Sequence, residues 1–475
     1  MPKSWESANE HDPIMKRELH TSTPDTNGAV NRLAPEDSLV HDWYRFVLSF
    51  PPHLVRDYLQ RFGIGRDHTV LDPFCGTGTT IVECKKLGIP SIGVEAMPWA
   101  YFVTTVKTDW TPDPDGLVRH VREVAALARE QLQSEGIEDE PPLPLFRSTS
   151  MVGSHHPKVL RKLPPEKEKL LLTNSISPLP LHKTLVLLEC LDQCRDEKFR
   201  NHELLALGKA LVFSISNLNF GPEVGVGPAK PDSPVVAPWL ASVEAMAADL
   251  RPLRQTEGAP AGVHNADARR ISEILTGCTI DAVVTSPPYP NEKDYTRTTR
   301  LESVLLGFIK DKADLRALKR GLIRSNTRGV YKGDDDDRWV SDHDEIQRIA
   351  KAIETRRVKL GKTSGFERQY HRVTKLYFGG MARHLADLRT VLAPGAQLAY
   401  VVGDQASYLR VMIRTGPLLA DIAESLGYDV VNIDLFRTRL ATATKEQLRE
   451  EVVILRWPGP RQRRLSGVRA IKVPR

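Results

Sequence analysis

A chain of 475 residues can hold one large domain with insertions or two to three domains, and its 41% hydrophobic, 27% charged composition is that of a soluble globular protein. No apolar run reaches transmembrane length and the N-terminus lacks a signal-peptide core, so a cytoplasmic protein without a membrane partner is expected. A net charge of +6 permits a nucleic-acid partner without demonstrating one, while five cysteines with no Cys-x-x-Cys pair argue for free thiols and against a zinc site.

Residues 1–38 mix Pro, Asn, Thr and charge without a sustained period and read as a disordered segment. Trp43, Tyr44, Phe46 and Phe50 follow, and Ser49-Phe50-Pro51-Pro52 has the form of a helix start with proline in its first turn. Val70 and Leu71 end a short apolar strand. Asp72-Pro73-Phe74-Cys75-Gly76-Thr77-Gly78-Thr79-Thr80 then makes a tight turn into a helix over 81–87. Glycines in such a turn reach positive φ and let the backbone approach a ligand, and the turn often marks a nucleotide-type cofactor. It is neither the Gly-x-Gly-x-x-Gly fingerprint nor a P-loop. Ser91-Ile92-Gly93-Val94-Glu95 reads as the second strand, whose terminal acid is placed for ribose hydroxyls.

Residues 112–254 break this rhythm. Helical spacing occurs over 117–132, 185–194, 204–215 and 235–250, with a Pro-rich connection at Pro141-Pro142-Leu143-Pro144 and a loop over 216–222. This is a mostly helical insertion, long enough for a small core of its own. The α/β pattern resumes over 261–267, ending in Asp267, and an apolar strand over 280–284 leads into Thr285-Ser286-Pro287-Pro288-Tyr289. The prolines fix φ and offer carbonyls without N–H donors, and the ring offers a stacking face. At the C-terminal end of a strand, that corner suits gripping a planar group that carries an exocyclic amine.

A helix over 295–308 carries Arg297, Arg300 and Glu302. Residues 309–375 read as basic and irregular, and their Asp334–Asp337 run as a solvated, mobile loop rather than a metal site. A helix from Tyr377 to Leu392, a turn at Pro394-Gly395 and a strand over 397–402 ending in Gly403-Asp404-Gln405 restore the α/β order. A helix over 418–426 and strands over 430–435 and 451–455 complete it.

The glycine turn and the Ser-Pro-Pro-Tyr corner, each after an apolar strand, together resemble the amino-methyltransferases that act on exocyclic amines of DNA bases with S-adenosylmethionine. The resemblance covers about residues 41–108 and 262–457. It implies an α/β fold, a Rossmann-like S-adenosylmethionine-dependent methyltransferase sheet interrupted by the helical insertion. It implies a cofactor site at Asp72, Pro73, Phe74, Gly76, Gly78 and Thr79, with Glu95 on the ribose and Asp267 on the adenine amino group. Phe50 matches the segment that contacts the cofactor's methionine part in this family, the helix-start reading standing beside it. Ser286, Pro287, Pro288 and Tyr289 correspond to the catalytic motif.

The chemistry at that motif is alignment. An aromatic amine is a weak nucleophile because its lone pair is delocalised, and the Ser286 hydroxyl and Pro287 carbonyl can accept its two hydrogens while Tyr289 stacks on the base. A target inside a duplex must be flipped out. In the family, Ser at the motif's first position goes mostly with cytosine N4 and Asp or Asn with adenine N6, so N4-methylcytosine is favoured and N6-methyladenine is the alternative. Cytosine C5 chemistry needs a cysteine nucleophile, typically in Pro-Cys, and no Pro-Cys occurs. RNA base methylation and a non-catalytic DNA-binding relative are the further alternatives.

The expected organisation is therefore a disordered segment over 1–38, core over 39–111, helical insertion over 112–254 and core over 255–308. A basic insertion over 309–375, core over 376–458 and a basic tail over 459–475 follow. Both insertions are candidates for reading DNA, with 112–254 expected to form the larger part of the cleft. Arg324 and Arg328 are candidates for phosphate contact or plain exposed surface; Arg437 and Arg439 for the base pocket or phosphate. Asp404 lies either beside the target base or at a helix cap. Expected partners are duplex DNA and a separately encoded restriction endonuclease.

Overall fold

The computed structural model describes residues 33–46, 49–140, 159–220, 224–256, 258–291, 293–440 and 447–460. The readings for most of 1–38, for Pro141–Pro144 and for nearly all of the basic tail lie outside them. Pro35–Asp37 and Ser38–His41 form two short turns of helix, tied down where Asp37 accepts from Arg56.

Seven strands form one sheet: β1 Val70–Asp72, β2 Ser91–Glu95, β3 Ala261–Asn265, β4 Ile280–Thr285, β5 Leu392–Gly403, β6 Asp429–Leu440 and β7 Gln447–Arg456. Their order across the sheet is β3-β2-β1-β4-β5-β7-β6. The first five are parallel, and β7 runs antiparallel to both β5 and β6. The strand order reverses between β1 and β4, which opens the crevice where doubly wound sheets bind ligands. This is the Rossmann-like sheet expected from the sequence. The Pro394-Gly395 turn is absorbed into β5 as an irregularity, since the register jumps between Ile280↔Leu392 and Ala282↔Gln397.

Side chains alternate between the two faces with the strand period of two. Val70, Ala282, Val284, Ala399, Val401, Val452 and Ile454 pack with Leu54, Val55 and Leu59 of α1 (Pro52–Arg61) and Cys84 of α2 (Thr79–Leu87). The other face, with Leu71, Val283, Leu398, Tyr400, Val402, Val453 and Leu455, is covered by α11 (Tyr370–Leu388) and α12 (Thr415–Ser425).

Residues 112–254 are helical as read, in α4 (Pro114–Ser134), α5 (Pro178–Gln193), α6 (Arg200–Ala210) and α7 (Val236–Leu253). Their core is not separate. It is continuous with Trp99, Val103 and Val106 of α3 (Pro98–Thr108), and Gly208 of α6 lies so close to Trp99 that a Cβ there would sit 2.3 Å from the indole. The expected loop over 216–222 contains a strand, Leu218–Phe220, which pairs antiparallel with Val224–Val226.

Residues 309–375 are not irregular. After α8 (Arg300–Leu305) they hold α9 (Lys312–Gly321) and α10 (Asp344–Lys359), and Ile323, Val340, Ile346, Ile349 and Ile353 pack against α11 on the second face of the sheet. Dense charge over 309–375 hides the apolar stripe that seats α10. The two insertions therefore pack with opposite sides of the sheet.

Candidate active site

Because β1 and β4 are neighbours in register, Leu71 against Val283, the residues after each strand emerge at the same edge. The two motifs are joined there. The Thr285 hydroxyl donates to Asp72 Oδ1 at 2.6 Å, and the Thr80 hydroxyl donates to the Val284 carbonyl at 3.0 Å. Asp72 is fully buried and also accepts from the Phe74 amide at 3.1 Å. Burial pushes its carboxyl up to about 6, against the opposing pull of its hydrogen bonds, that from Thr285 foremost.

The glycine turn needs its glycines. Gly76 has φ +52°, and its amide donates to Glu95 at 2.9 Å. Gly78 has φ +84°, and a Cβ there would lie 2.7 Å from the Thr104 methyl. Two residues of α3 hold the turn from below: the Thr104 hydroxyl donates to the Gly76 carbonyl at 2.8 Å and the buried Lys107 ammonium to the Thr77 carbonyl at 3.2 Å. Burial pulls the Lys107 ammonium down to about 7. Glu95 accepts from the Gly76 and Met97 amides, and burial pushes its carboxyl up to about 7 despite those bonds.

A cavity of about 710 Å³ runs over this edge. Pro73, Phe74, Gly76, Thr79 and Glu95 line one part, together with Phe50 and Asp267. Ser286, Pro287, Pro288 and Tyr289 line it too. Asp72 and Gly78 are absent from its wall: they build the turn from beneath it. Phe50 fits both readings of its segment, since it lines the cavity while Pro52 opens α1 at the first helical position. Asp267 carries a constraint that the sequence did not reveal. Its carboxylate caps the following turn through the Arg269 amide at 2.9 Å and is gripped by the Arg269 guanidinium at 2.6–3.1 Å.

At the second motif, the Ser286 hydroxyl donates to the Val401 carbonyl at 3.2 Å, which leaves its lone pairs to accept. The Tyr289 amide donates to the Tyr295 hydroxyl at 3.4 Å, and the Tyr289 ring lies against Gly403, where a Cβ would come within 2.8 Å of it. Burial pushes the Tyr289 phenol up, so it stays protonated at neutral pH.

The arginines divide. Arg324 lines the cavity but is almost fully buried and held by Asp334 at 2.8 Å and by the Lys319 and Leu322 carbonyls. Arg328 lies outside the wall, its guanidinium over the Phe366 ring. Arg437 and Arg439 lie within β6 rather than after it; both line the cavity and both pair with Glu450, at 2.6 and 3.4 Å. Asp404 does not cap the helix that follows it and is absent from the cavity wall: it is buried in pairs with Arg414 and Arg449. Nor is Asp334–Asp337 a solvated loop. Asp334 pairs with Arg324, and buried Asp336 pairs with both Arg269 and Arg383.

Residues 319–329 supply much of the wall on one side, whereas none of 112–254 lines the cavity among the described residues. The helical insertion packs instead on the apolar face of α3 and does not reach this cavity. Sequence reading missed Thr104, Lys107, Asn326 and Gln405. A threonine and a lysine on one face of the apolar α3 were the only available signal for the first two.

A DNA methylase family model, of the N6/N4 type, matches residues 16–102. Type II methyltransferase M.BsoBI of Geobacillus stearothermophilus is 23% identical over 90% of this chain and 86% of its own length. Type II methyltransferase M.AvaI of Nostoc is 22% identical over 93% and 91%. Type II methyltransferase M.MjaII of Methanocaldococcus jannaschii is 39% identical over a shorter stretch, 14% of this chain and 13% of its own. Both motifs thus stand at one edge of a Rossmann-like sheet, and similarity to Type II DNA methyltransferases runs along nearly the whole chain.

Proposed function

We propose that this protein transfers a methyl group from S-adenosylmethionine to the exocyclic N4 of cytosine in duplex DNA. The observation that carries the reading is that the glycine turn and the Ser-Pro-Pro-Tyr corner border one cavity and are joined by the Thr285–Asp72 hydrogen bond.

The residues present fit the cofactor. A carboxylate at the end of β2, a turn whose Gly76 stands at positive φ, and the apolar Phe50 and Phe74 share a cavity of about 710 Å³. That is within the range of roughly 300–1,000 Å³ usual for small-molecule sites. S-adenosylmethionine bound there supplies a methyl group already activated by its sulfonium charge. Glu95 would accept from the ribose hydroxyls, the Pro73–Thr79 turn would pack on the body of the cofactor, Phe50 would meet its methionine part and Asp267 its adenine edge.

At the corner, Ser286 and the Pro287 carbonyl would accept the two amine hydrogens and favour a pyramidal nitrogen. Pro288 fixes the corner, and Tyr289 would stack on the base. The amine need not be deprotonated first: as its bond to the methyl group forms and the methyl–sulfur bond breaks, the nitrogen becomes cationic and strongly acidic, and its extra proton would pass from the Ser286 and Pro287 hydrogen bonds to solvent. Ser286 supports cytosine N4: its proton is committed to Val401, so it faces the cavity as a neutral acceptor. Flipping the base costs a few kcal/mol, offset by stacking and by the protein's hold on the duplex. Arg437 and Arg439 border the cavity for that hold, with Arg328 on nearby surface; Arg324 would act by shaping the wall. The setting we infer is a cytoplasmic restriction–modification pair with a separately encoded endonuclease.

The test is incubation with methyl-labelled cofactor and either duplex DNA or tRNA, followed by mass spectrometry of the digested nucleosides. N4-methylcytosine in DNA is the expected product. N6-methyladenine in DNA would overturn the choice of base, label in RNA alone would overturn the substrate, and no label anywhere would favour a non-catalytic relative.

A further inference from the structure

Most buried polar groups on the cavity wall have partners, but among the described residues two side-chain amides each leave one atom unpaired: Asn326 its Oδ1, an acceptor, and Gln405 its Nε2, a donor. Gln405 lies two residues beyond the glycine that carries the Tyr289 ring. It lines the cavity, is 4% exposed, and its Nε2 makes no hydrogen bond. Its backbone is fixed on both sides by exchange with Ile413, N to O at 3.0 Å and O to N at 2.7 Å. The loop beyond it is pinned to the opposite wall, where the Tyr408 hydroxyl donates to the Ser325 carbonyl at 2.7 Å. A donor held this rigidly and left unpaired carries a desolvation cost that only a ligand acceptor or a water can offset.

The base edge proposed for this cavity offers one such acceptor. In cytosine the ring nitrogen beside the amine-bearing carbon is N3, and in adenine it is N1; both are bare acceptors. In guanine and thymine the corresponding nitrogen carries a hydrogen. We infer that the Gln405 side-chain amide donates to this ring nitrogen and so selects the target base, Ser286 and Pro287 taking the amine. Gln405 is thus a specificity-determining residue, and the inference rests on the base-methylation reading above.

The experiment is a double-mutant cycle between protein and base. Sequencing of plasmid DNA treated with the wild-type protein locates the methylated base. A duplex is then made with 3-deazacytosine at that position, or 1-deazaadenine where the base is adenine, each of which keeps the amine and lacks the ring acceptor. Duplex affinity, measured by anisotropy with the demethylated cofactor present, and single-turnover methylation are compared for the wild type, Gln405→Leu and Gln405→Met. For the wild type the deaza base should cost about tenfold, the worth of one buried hydrogen bond. For Gln405→Leu the cost should vanish, and Gln405→Met, of similar length but without a donor, gives the same answer should the leucine variant misfold. An equal deaza penalty in the wild type and the variants overturns the inference while leaving the methyltransferase reading intact. Absence of methylation by the wild type overturns that reading instead.

Discussion

Thr285 donates its hydroxyl proton to Asp72 across 213 residues of sequence, and that bond ties the glycine turn to the Ser-Pro-Pro-Tyr corner. The Asp72 carboxyl is held at about 6, above its unfolded value of about 3.9, so the folded state binds more protons between these values. Its contribution to stability is therefore greatest below pH 4 and declines as pH rises to about 6. Thr285→Val removes a hydrogen bond that favours the ionised form, so the decline should continue to higher pH. At pH 7.5 the variant should lose roughly 1–3 kcal/mol. Denaturant unfolding between pH 4 and 8 checks this; a loss that is the same at every pH would mean that the bond does not act through the Asp72 charge.

Glu95 yields a pH dependence of the opposite sense for binding. Burial raises its carboxyl to about 7, and the ionised form is the better acceptor for two hydroxyls. Affinity for S-adenosylmethionine should therefore tighten about tenfold from pH 6 to 8, and Glu95→Gln should bind weakly with little slope. Calorimetric titration at the two pH values decides it; a slope retained in the glutamine variant would assign the titration to another group.

Ser286→Ala and Tyr289→Ala should each abolish methylation while cofactor affinity stays within about threefold, a change below 1 kcal/mol. Gly403→Ala makes a sharper probe of the same surface. Its Cβ would come within 2.8 Å of the Tyr289 ring, so it displaces the ring without altering the motif. Methyl transfer should drop at least tenfold, with cofactor binding retained. Joint loss of cofactor binding would show that the two sites are not separable.

The legible parts of this protein are those whose signal is local. A short apolar strand followed by a glycine turn, or by Ser-Pro-Pro-Tyr, carries its structural context with it, and both motifs were found from their own residues. What could not be read depends on distant partners. The Asp334–Asp337 run looks solvated until Arg269, Arg324 and Arg383 meet it. Asp404 looks like a cap or a base contact until Arg449 arrives from β7. The insertion over 112–254 looks self-contained because nothing local in Trp99 announces that Gly208 will pack on it.

The same reasoning makes Arg269 the most informative position outside the motifs. Its guanidinium grips Asp267 on the cavity wall and Asp336 in the 309–375 insertion, and both it and Asp336 are almost fully buried. Removing one partner of a buried pair leaves the other charge uncompensated, at a cost of roughly 3–5 kcal/mol. Arg383 still reaches Asp336, at 3.3 Å, so Arg269→Met should fall at the low end. The loss should be local in its consequences. The wall over 319–329 receives Arg269 through the Arg320 carbonyl at 3.2 Å and should open more often. Amide exchange there should accelerate more than in β4 or β5, and cofactor affinity should weaken as Asp267 loses its clamp. Uniform acceleration through the sheet would instead show that Arg269 supports the fold as a whole and does not couple the insertion to the cofactor side.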